Sequence, residues 1–199
     1  MTEFWEQAFQ DKKEMWGFEP ANSALQTAEL FGQNGYKQVL IPGIGYGRNA
    51  WPFISRGMEV TGIEISAAAI ELAEKQFEKT LTIYNGSVTE MPFDQKQYDG
   101  IYCHALIHLL DENQRIKLIS DCYNQLNKNG MMVFTAITKE AKTYGQGTLI
   151  SKDRFLQFGG VNMFFYDRDS IQEEFGRYGL LEVSKLEENF PFYLITCIN

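Results

Sequence analysis

From Lys37 to Thr138 the chain alternates two kinds of segment at intervals of roughly 20 to 25 residues. Short apolar runs (KQVLIP, MEVTGIEIS, LTIYNGS, YDGIYCH and MMVFTAIT) are separated by longer stretches such as RNAWPFISRG, AAAIELAEKQFEKT and DENQRIKLISDCYNQLNKNG. The longer stretches carry apolar residues at helical spacing. Strands that run parallel cannot be joined by a tight turn. They need a crossover, and a helix supplies it. The alternation therefore predicts βαβ units and a parallel sheet with helices on both faces. With 199 residues, 44% of them apolar, the chain is long enough to bury the core such layers require.

The flanks read differently. TEFWEQAFQDKKEMWGFEPANSALQTAELFG predicts two short helices broken near Gly17 and Pro20, the second capped by Asn22 or Ser23 and ended by Gly32 or Gly35. Residues 139–165 break the rhythm with a long, Gly-containing, aromatic-rich stretch, and such stretches tend to be lids or binding segments. DRDSIQEEFGRYG then reads as a helix, and LLEVSKLEE with FPFYLITCIN as a closing pair of strands.

The turn after the first strand, VLIPGIGYGRNA, carries Gly43, Gly45 and Gly47 at alternate positions. Glycine at that density is conformationally expensive, so the turn needs backbone without side chains. In doubly wound sheets this turn faces a nucleotide-like ligand, held by backbone N–H groups and a helix N-terminus. The second strand ends with Glu64, about 20 residues after the first glycine, where a carboxylate accepts both hydroxyl hydrogens of a ribose. A dinucleotide site favours GxGxxG, whose third glycine admits tight helix packing. Here the spacing is GxGxG, and Arg48 stands where that glycine would be. A Gly-rich turn with no ligand is the plainer alternative.

Composition narrows the partners. The net charge is −8 and no Lys/Arg cluster is present, which disfavours nucleic acid and anionic membranes. Cys103, Cys122 and Cys197 are far apart and show no metal or redox spacing, as expected in a reducing cytoplasm. The charged N-terminal stretch has no apolar signal-peptide core, and no window approaches ~18 apolar residues, the length of a membrane span.

The glycine turn, Glu64, the stretch NGSVTEMPFDQKQYDGIYC and the turn LNKNGMMVFT occur in an order that resembles class I S-adenosylmethionine-dependent methyltransferases. The resemblance covers about residues 37 to 138. VLIPGIGYG and the tryptophan-bearing FWEQAFQDKKEMWGFEP are further similar to the thiopurine and tellurite-resistance methyltransferase subgroup. Ile41 departs from the acid that many class I members carry two residues before the first glycine; carbonyls near Gly43 and Cys103 are the expected substitutes. The resemblance implies an α/β, Rossmann-like doubly wound sheet of seven mostly parallel strands, the last antiparallel, with N-terminal lid helices. It implies S-adenosyl-L-methionine as methyl donor, S-adenosyl-L-homocysteine as product, and Trp16, Pro42, Gly43, Ile44, Gly45, Gly47, Glu64, Ile65, Ser87, Val88 and Cys103 as the cofactor-binding residues.

A sulfonium is an already activated methyl donor, so such an enzyme mainly aligns its reactants. Aromatic faces near the sulfonium help through cation–π attraction. Trp5, Tyr46, Tyr144, Phe164 and Tyr166 are the expected substrate-site aromatics, with packing as the alternative role for each. His104 and His108, four residues apart on an expected helical face, are the candidate catalytic bases, with a rate limb near pH 6.5. Two histidines without a third ligand make a metal site a poor reading. Cys103 fits a buried small hydrophobe better than a nucleophile.

The expectation is a single domain over 1–199, with lid helices at 1–35, a cofactor-binding core at 36–138, a substrate lid at 139–166 and a closing helix and strands at 167–199. The function expected is cytoplasmic methyl transfer to a small-molecule acceptor, by a monomer or homodimer and with no metal. The rivals are a nicotinamide-dependent oxidoreductase and a non-catalytic S-adenosylmethionine-binding module.

Overall fold

The computed structural model describes residues 2–12, 17–78 and 81–199. Two helices, α1 (Thr2–Lys12) and α2 (Asn22–Gln33), precede the alternating core. The core runs β1 (Gln38–Pro42), α3 (Trp51–Ile54), β2 (Glu59–Glu64), α4 (Ala67–Gln76), β3 (Thr82–Asn85), β4 (Tyr98–Cys103), α5 (Glu112–Asn124) and β5 (Leu126–Ile137). Three short strands follow, β6 (Thr148–Ser151), β7 (Arg154–Gln157) and β8 (Val161–Phe164), then α6 (Arg168–Phe175), β9 (Leu180–Glu187) and β10 (Pro191–Ile198).

The main sheet has seven strands in the order β3-β2-β1-β4-β5-β10-β9. β1 to β5 pair in parallel, and β10 runs antiparallel to both β5 and β9. This is the predicted doubly wound sheet with its last strand reversed. Strand periodicity divides the core between the two faces. Leu40, Ile101, Cys103, Met132 and Phe134 pack with α5 and α6 residues such as Leu118 and Phe175. Their neighbours Val39, Ile41, Tyr102 and Val133 pack with Phe31 of α2 and Phe53 of α3.

Several helix starts follow from local sequence. The Ser66 side chain accepts the Ala69 N–H, and Asp111 with Gln114 forms a reciprocal capping box on α5. The start of α2 corrects the sequence reading. Neither Asn22 nor Ser23 caps it; the N-cap is Ala21. Distant residues take its first donors instead: Asn49 Oδ1 accepts the Ala21 N–H, and Glu188 Oε1 accepts the Ser23 N–H at 2.8 Å. α3 is also far shorter than the helix expected over 48–57.

The stretch after β5 is not an irregular loop. β6, β7 and β8 form an antiparallel three-stranded sheet. Its inner side packs Met163 and Phe165 against Ile137, Leu109 and Phe192. Its outer residues Leu149, Ile150, Leu156 and Phe158 are exposed. Lys139 Nζ ties both ends of the insertion, 2.7 Å from Asp153 and 2.5 Å from Asp167. Among the described residues no helix is long and apolar enough to cross a membrane.

Candidate active site

The C-terminal ends of β1, β2, β3 and β4 lie side by side in the sheet, so the turns that leave them form one rim. Gly43, Gly45 and Gly47 all have positive φ, as the sequence expectation of a side-chain-free turn requires. They face different partners. A Cβ on Gly47 would lie 2.5 Å from the Phe77 ring, and one on Gly43 would lie 2.9 Å from Leu106. Only Gly45 has room, with Phe9 of α1 at 3.8 Å. Two of the three glycines thus serve packing, and Gly45 alone opens toward the rim.

Glu64 is more engaged than the sequence indicated. Its Oε2 accepts the Gly45 N–H at 2.8 Å, and its Oε1 accepts the Ile65 and Ser66 N–H groups, each at 2.9 Å. The carboxylate therefore ties the glycine turn to the start of α4. Burial pushes its pKa above the ordinary value of 4.5, while the backbone donors work in the opposite direction. The charge sits where folding alone disfavours it, and hydroxyl donors from a ligand would offset that cost.

At the neighbouring strand ends, Ser87 Oγ accepts the Thr89 N–H and Val88 is buried in the core. Asn85, missed in the sequence reading, donates from Nδ2 to the Glu64 carbonyl at 3.0 Å and fixes the β2–β3 ends together. Pro42, Ile44 and Cys103 are buried within the same rim, and burial pushes the Cys103 thiol up, as suits a packed apolar residue. Trp16 lies outside the described residues.

Helix α1 covers the rim. Phe9 packs on Tyr46 and Ala69, with Trp5 against it. Glu6 accepts from Ser66 Oγ at 2.7 Å and from the Ala68 N–H at 3.3 Å. Tyr46 is itself buried, its hydroxyl donating to the Gly17 carbonyl at 2.6 Å, so it fastens the N-terminal segment rather than facing an acceptor.

The other expected substrate aromatics are dispersed. Tyr166 has no exposed surface, and its hydroxyl donates to Glu174, the partner of Arg115. Phe164 lies under the Arg115 guanidinium, 3.9 Å from ring centroid to charge centre. Tyr144 donates to Asp153 on the insertion. All three were expected at the substrate site, but the two hydroxyls and the Phe164 ring face are engaged by neighbours in the fold. Trp5 alone of the five remains beside the crevice, with Phe190 and Phe192.

His104 and His108 do not share an α-helix. Ala105 takes a positive φ, and His108 falls in a 3-10 turn, Ile107–Leu109. Both rings still lean on Phe192, with centroids 5.9 and 6.0 Å away. His104 Nδ1 is 3.1 Å from Thr135 Oγ1 and 3.3 Å from Ser23 Oγ. Thr135 Oγ1 also accepts the Ala105 N–H at 2.8 Å, so the threonine links His104 to the backbone beside it. Nε2 points toward Glu188 Oε2 at 4.0 Å. Burial lowers both histidines to about 3, helped by Arg48 for His104 and by His104 for His108.

Burial therefore moves any rate limb from either ring well below the ordinary imidazole range. It also makes a stability prediction. Each histidine protonates in the unfolded chain below 6.5 but in the fold only near 3, so its contribution is intact above 6.5 and is lost as pH falls. From pH 7 to pH 5 the loss is about 2 kcal/mol per histidine. His108→Gln escapes one such share, so its stability relative to wild type should improve by about that amount over this range. Denaturant unfolding at the two pH values checks it, and a constant difference would show that His108 titrates normally.

The doubly wound sheet with its reversed final strand is a fold shared with solved methyltransferase structures. Residues 39–130 match the model of a family described as methyltransferase domain. A putative methyltransferase of Geobacillus sp. (strain WCH70) is 28% identical over 108 residues, 52% of this chain and 44% of that protein. The chain spans about half the length of the curated relatives it matches. Among solved structures, Burkholderia thailandensis 1,6-didemethyltoxoflavin-N1-methyltransferase, with bound 1,6-didemethyltoxoflavin and S-adenosylhomocysteine, superposes with a TM-score of 0.76. It is 14% identical and covers 100% of this chain and 86% of its own. TehB from Haemophilus influenzae gives 0.69 at 17% identity, covering 98% and 67%.

Proposed function

We propose that this chain is an S-adenosylmethionine-dependent methyltransferase that moves a methyl group to a small-molecule acceptor by direct in-line displacement. The observation that carries the reading is the bond from the Gly45 N–H to the Glu64 carboxylate, which joins the glycine turn and the acidic strand tip into one rim. Three of the roughly four acceptor positions of that carboxylate are used by backbone, and the remaining one is available to a ribose hydroxyl. Gly43, Gly47, Ile65, Ser87 and Val88 complete the rim around it, with Pro42, Ile44 and Cys103 behind. The GxGxG turn and the reversed β10 support this reading over a nicotinamide oxidoreductase.

When bound, the sulfonium supplies an activated methyl group, so the chain's task is to hold, orient and exclude water. Phe9 and Trp5 on α1 close over the rim, and the His104 ring, with Nε2 4.0 Å from Glu188 Oε2, stands beside it. On this reading the whole chain is one cytoplasmic domain working as a monomer or homodimer. With S-adenosylmethionine labelled on the methyl group, label should enter the small-molecule fraction of a cell extract. Label found only in protein or nucleic acid would overturn the choice of acceptor class.

A further inference from the structure

Glu188 was not singled out by any sequence motif, yet it occupies a place no surface glutamate would. It lies in the turn between β9 and β10, and the pairing of Phe192 with Ile137 puts that turn at the C-terminal end of β5, beside the rim. Its side chain is only 8% exposed. Oε1 is held by the Ser23 N–H at 2.8 Å. Oε2 stops 4.0 Å from His104 Nε2, too far for a direct hydrogen bond. That oxygen accepts no hydrogen bond among the described residues, and its carboxylate, held at Oε1, leaves Oε2 available to a ligand donor.

The surroundings state the shape of the group that would bring the donor. Phe192 stands between the two histidines, Phe190 meets it edge-on with centroids 6.3 Å apart, and Trp5 and Leu109 belong to the same apolar cluster. Beyond Leu109 a cleft of about 120 Å³ is lined by Phe4, Trp5, Gly160, Val161 and Asn162. Asn162 Oδ1 on that lining, and Nδ1 of His108, the residue before Leu109, are buried with no partner among the described residues. Flat aromatic walls beside the unspent acceptors Glu188 Oε2 and Asn162 Oδ1 favour a flat ligand that carries hydrogen-bond donors.

We propose that Glu188 is the acceptor-recognition residue, and that the methyl acceptor is a flat aromatic or heteroaromatic ring whose N–H or O–H donates to Glu188 Oε2. This rests on the methyltransferase reading above and deepens it. Ser23 fixes Oε1, so the carboxylate cannot swing away from the ring. His104 Nε2, 4.0 Å from Oε2, is the second polar atom facing that position.

The test uses ring pairs that differ only in the donor hydrogen: benzimidazole against 1-methylbenzimidazole, and phenol against anisole. Each is titrated into the full chain saturated with S-adenosylhomocysteine and followed by ligand-observed NMR. The N–H or O–H member should bind at least tenfold more tightly than its methylated partner. In Glu188→Gln the amide oxygen stays on the Ser23 N–H and the amide nitrogen replaces Oε2, turning an acceptor into a donor. The preference should then fall below twofold, with S-adenosylhomocysteine affinity within threefold of wild type. Equal affinity or no binding of both members in the wild type overturns the proposal without any variant, and so does a preference that survives in Glu188→Gln. Failure of S-adenosylhomocysteine itself to bind the wild type would instead remove the reading beneath it.

Discussion

Glu64→Gln should fold and bind S-adenosylhomocysteine at least tenfold more weakly than the wild-type chain. The carboxylate is the one rim group that combines charge, burial and a remaining acceptor position, and charge-assisted hydrogen bonds of this kind contribute about 1.5–3 kcal/mol. Glu64→Ala should lose the same binding and also stability, by about 1–3 kcal/mol, because three backbone donors lose their acceptor. Glutamine keeps an oxygen for the Ile65 and Ser66 N–H groups, which separates the two effects. The pH dependence has a definite sign. With its pKa raised in the fold, Glu64 contributes stability that is present below 4.5 and lost as pH rises through the raised value. Ligand hydroxyls favour the ionised form, so affinity should weaken as pH falls through that window. Calorimetry on the folded glutamine variant checks the argument, and an unchanged dissociation constant would contradict it.

The second large effect is on the fold that holds the insertion. Arg115 is buried and donates to Glu174, with Nη2 2.8 Å from Oε1, while Phe164 covers the guanidinium and Tyr166 donates to the other oxygen. Arg115→Met leaves Glu174 buried without its cation, and such breaks cost about 3–5 kcal/mol. The double variant Arg115→Met/Glu174→Gln removes both charges and keeps an acceptor for Tyr166. It should recover at least half of that loss in denaturant unfolding. A single variant that loses under about 1 kcal/mol would show the pair to be as weak as an exposed one.

What could be read from the sequence divides along the range of the interactions involved. The βαβ core was legible because each strand's apolar run and each helix's spacing is a local pattern, and Ser66 and Asp111 cap helices from adjacent positions. The glycine turn and Glu64 were legible as a pair through their spacing, although the three backbone bonds that Glu64 accepts were not. The start of α2 was misread because its caps come from Asn49 and Glu188, far along the chain. The insertion was misread for a related reason. TLIS, RFLQ and VNMF are too short to show a period, and their pairing depends on turns and on Lys139 bridging Asp153 and Asp167. Tyr166 and Phe164 therefore looked available when the fold uses them, and Glu188 looked like one more charge in an acidic turn.

What the rim between Gly45 and Glu64 holds decides between a methyl donor and a nicotinamide. Calorimetric titration of the full chain with S-adenosylhomocysteine, beside the same titration with NADH, addresses it directly. One-to-one binding of S-adenosylhomocysteine with no heat from NADH is the predicted result. Binding of NADH with S-adenosylhomocysteine silent would contradict it.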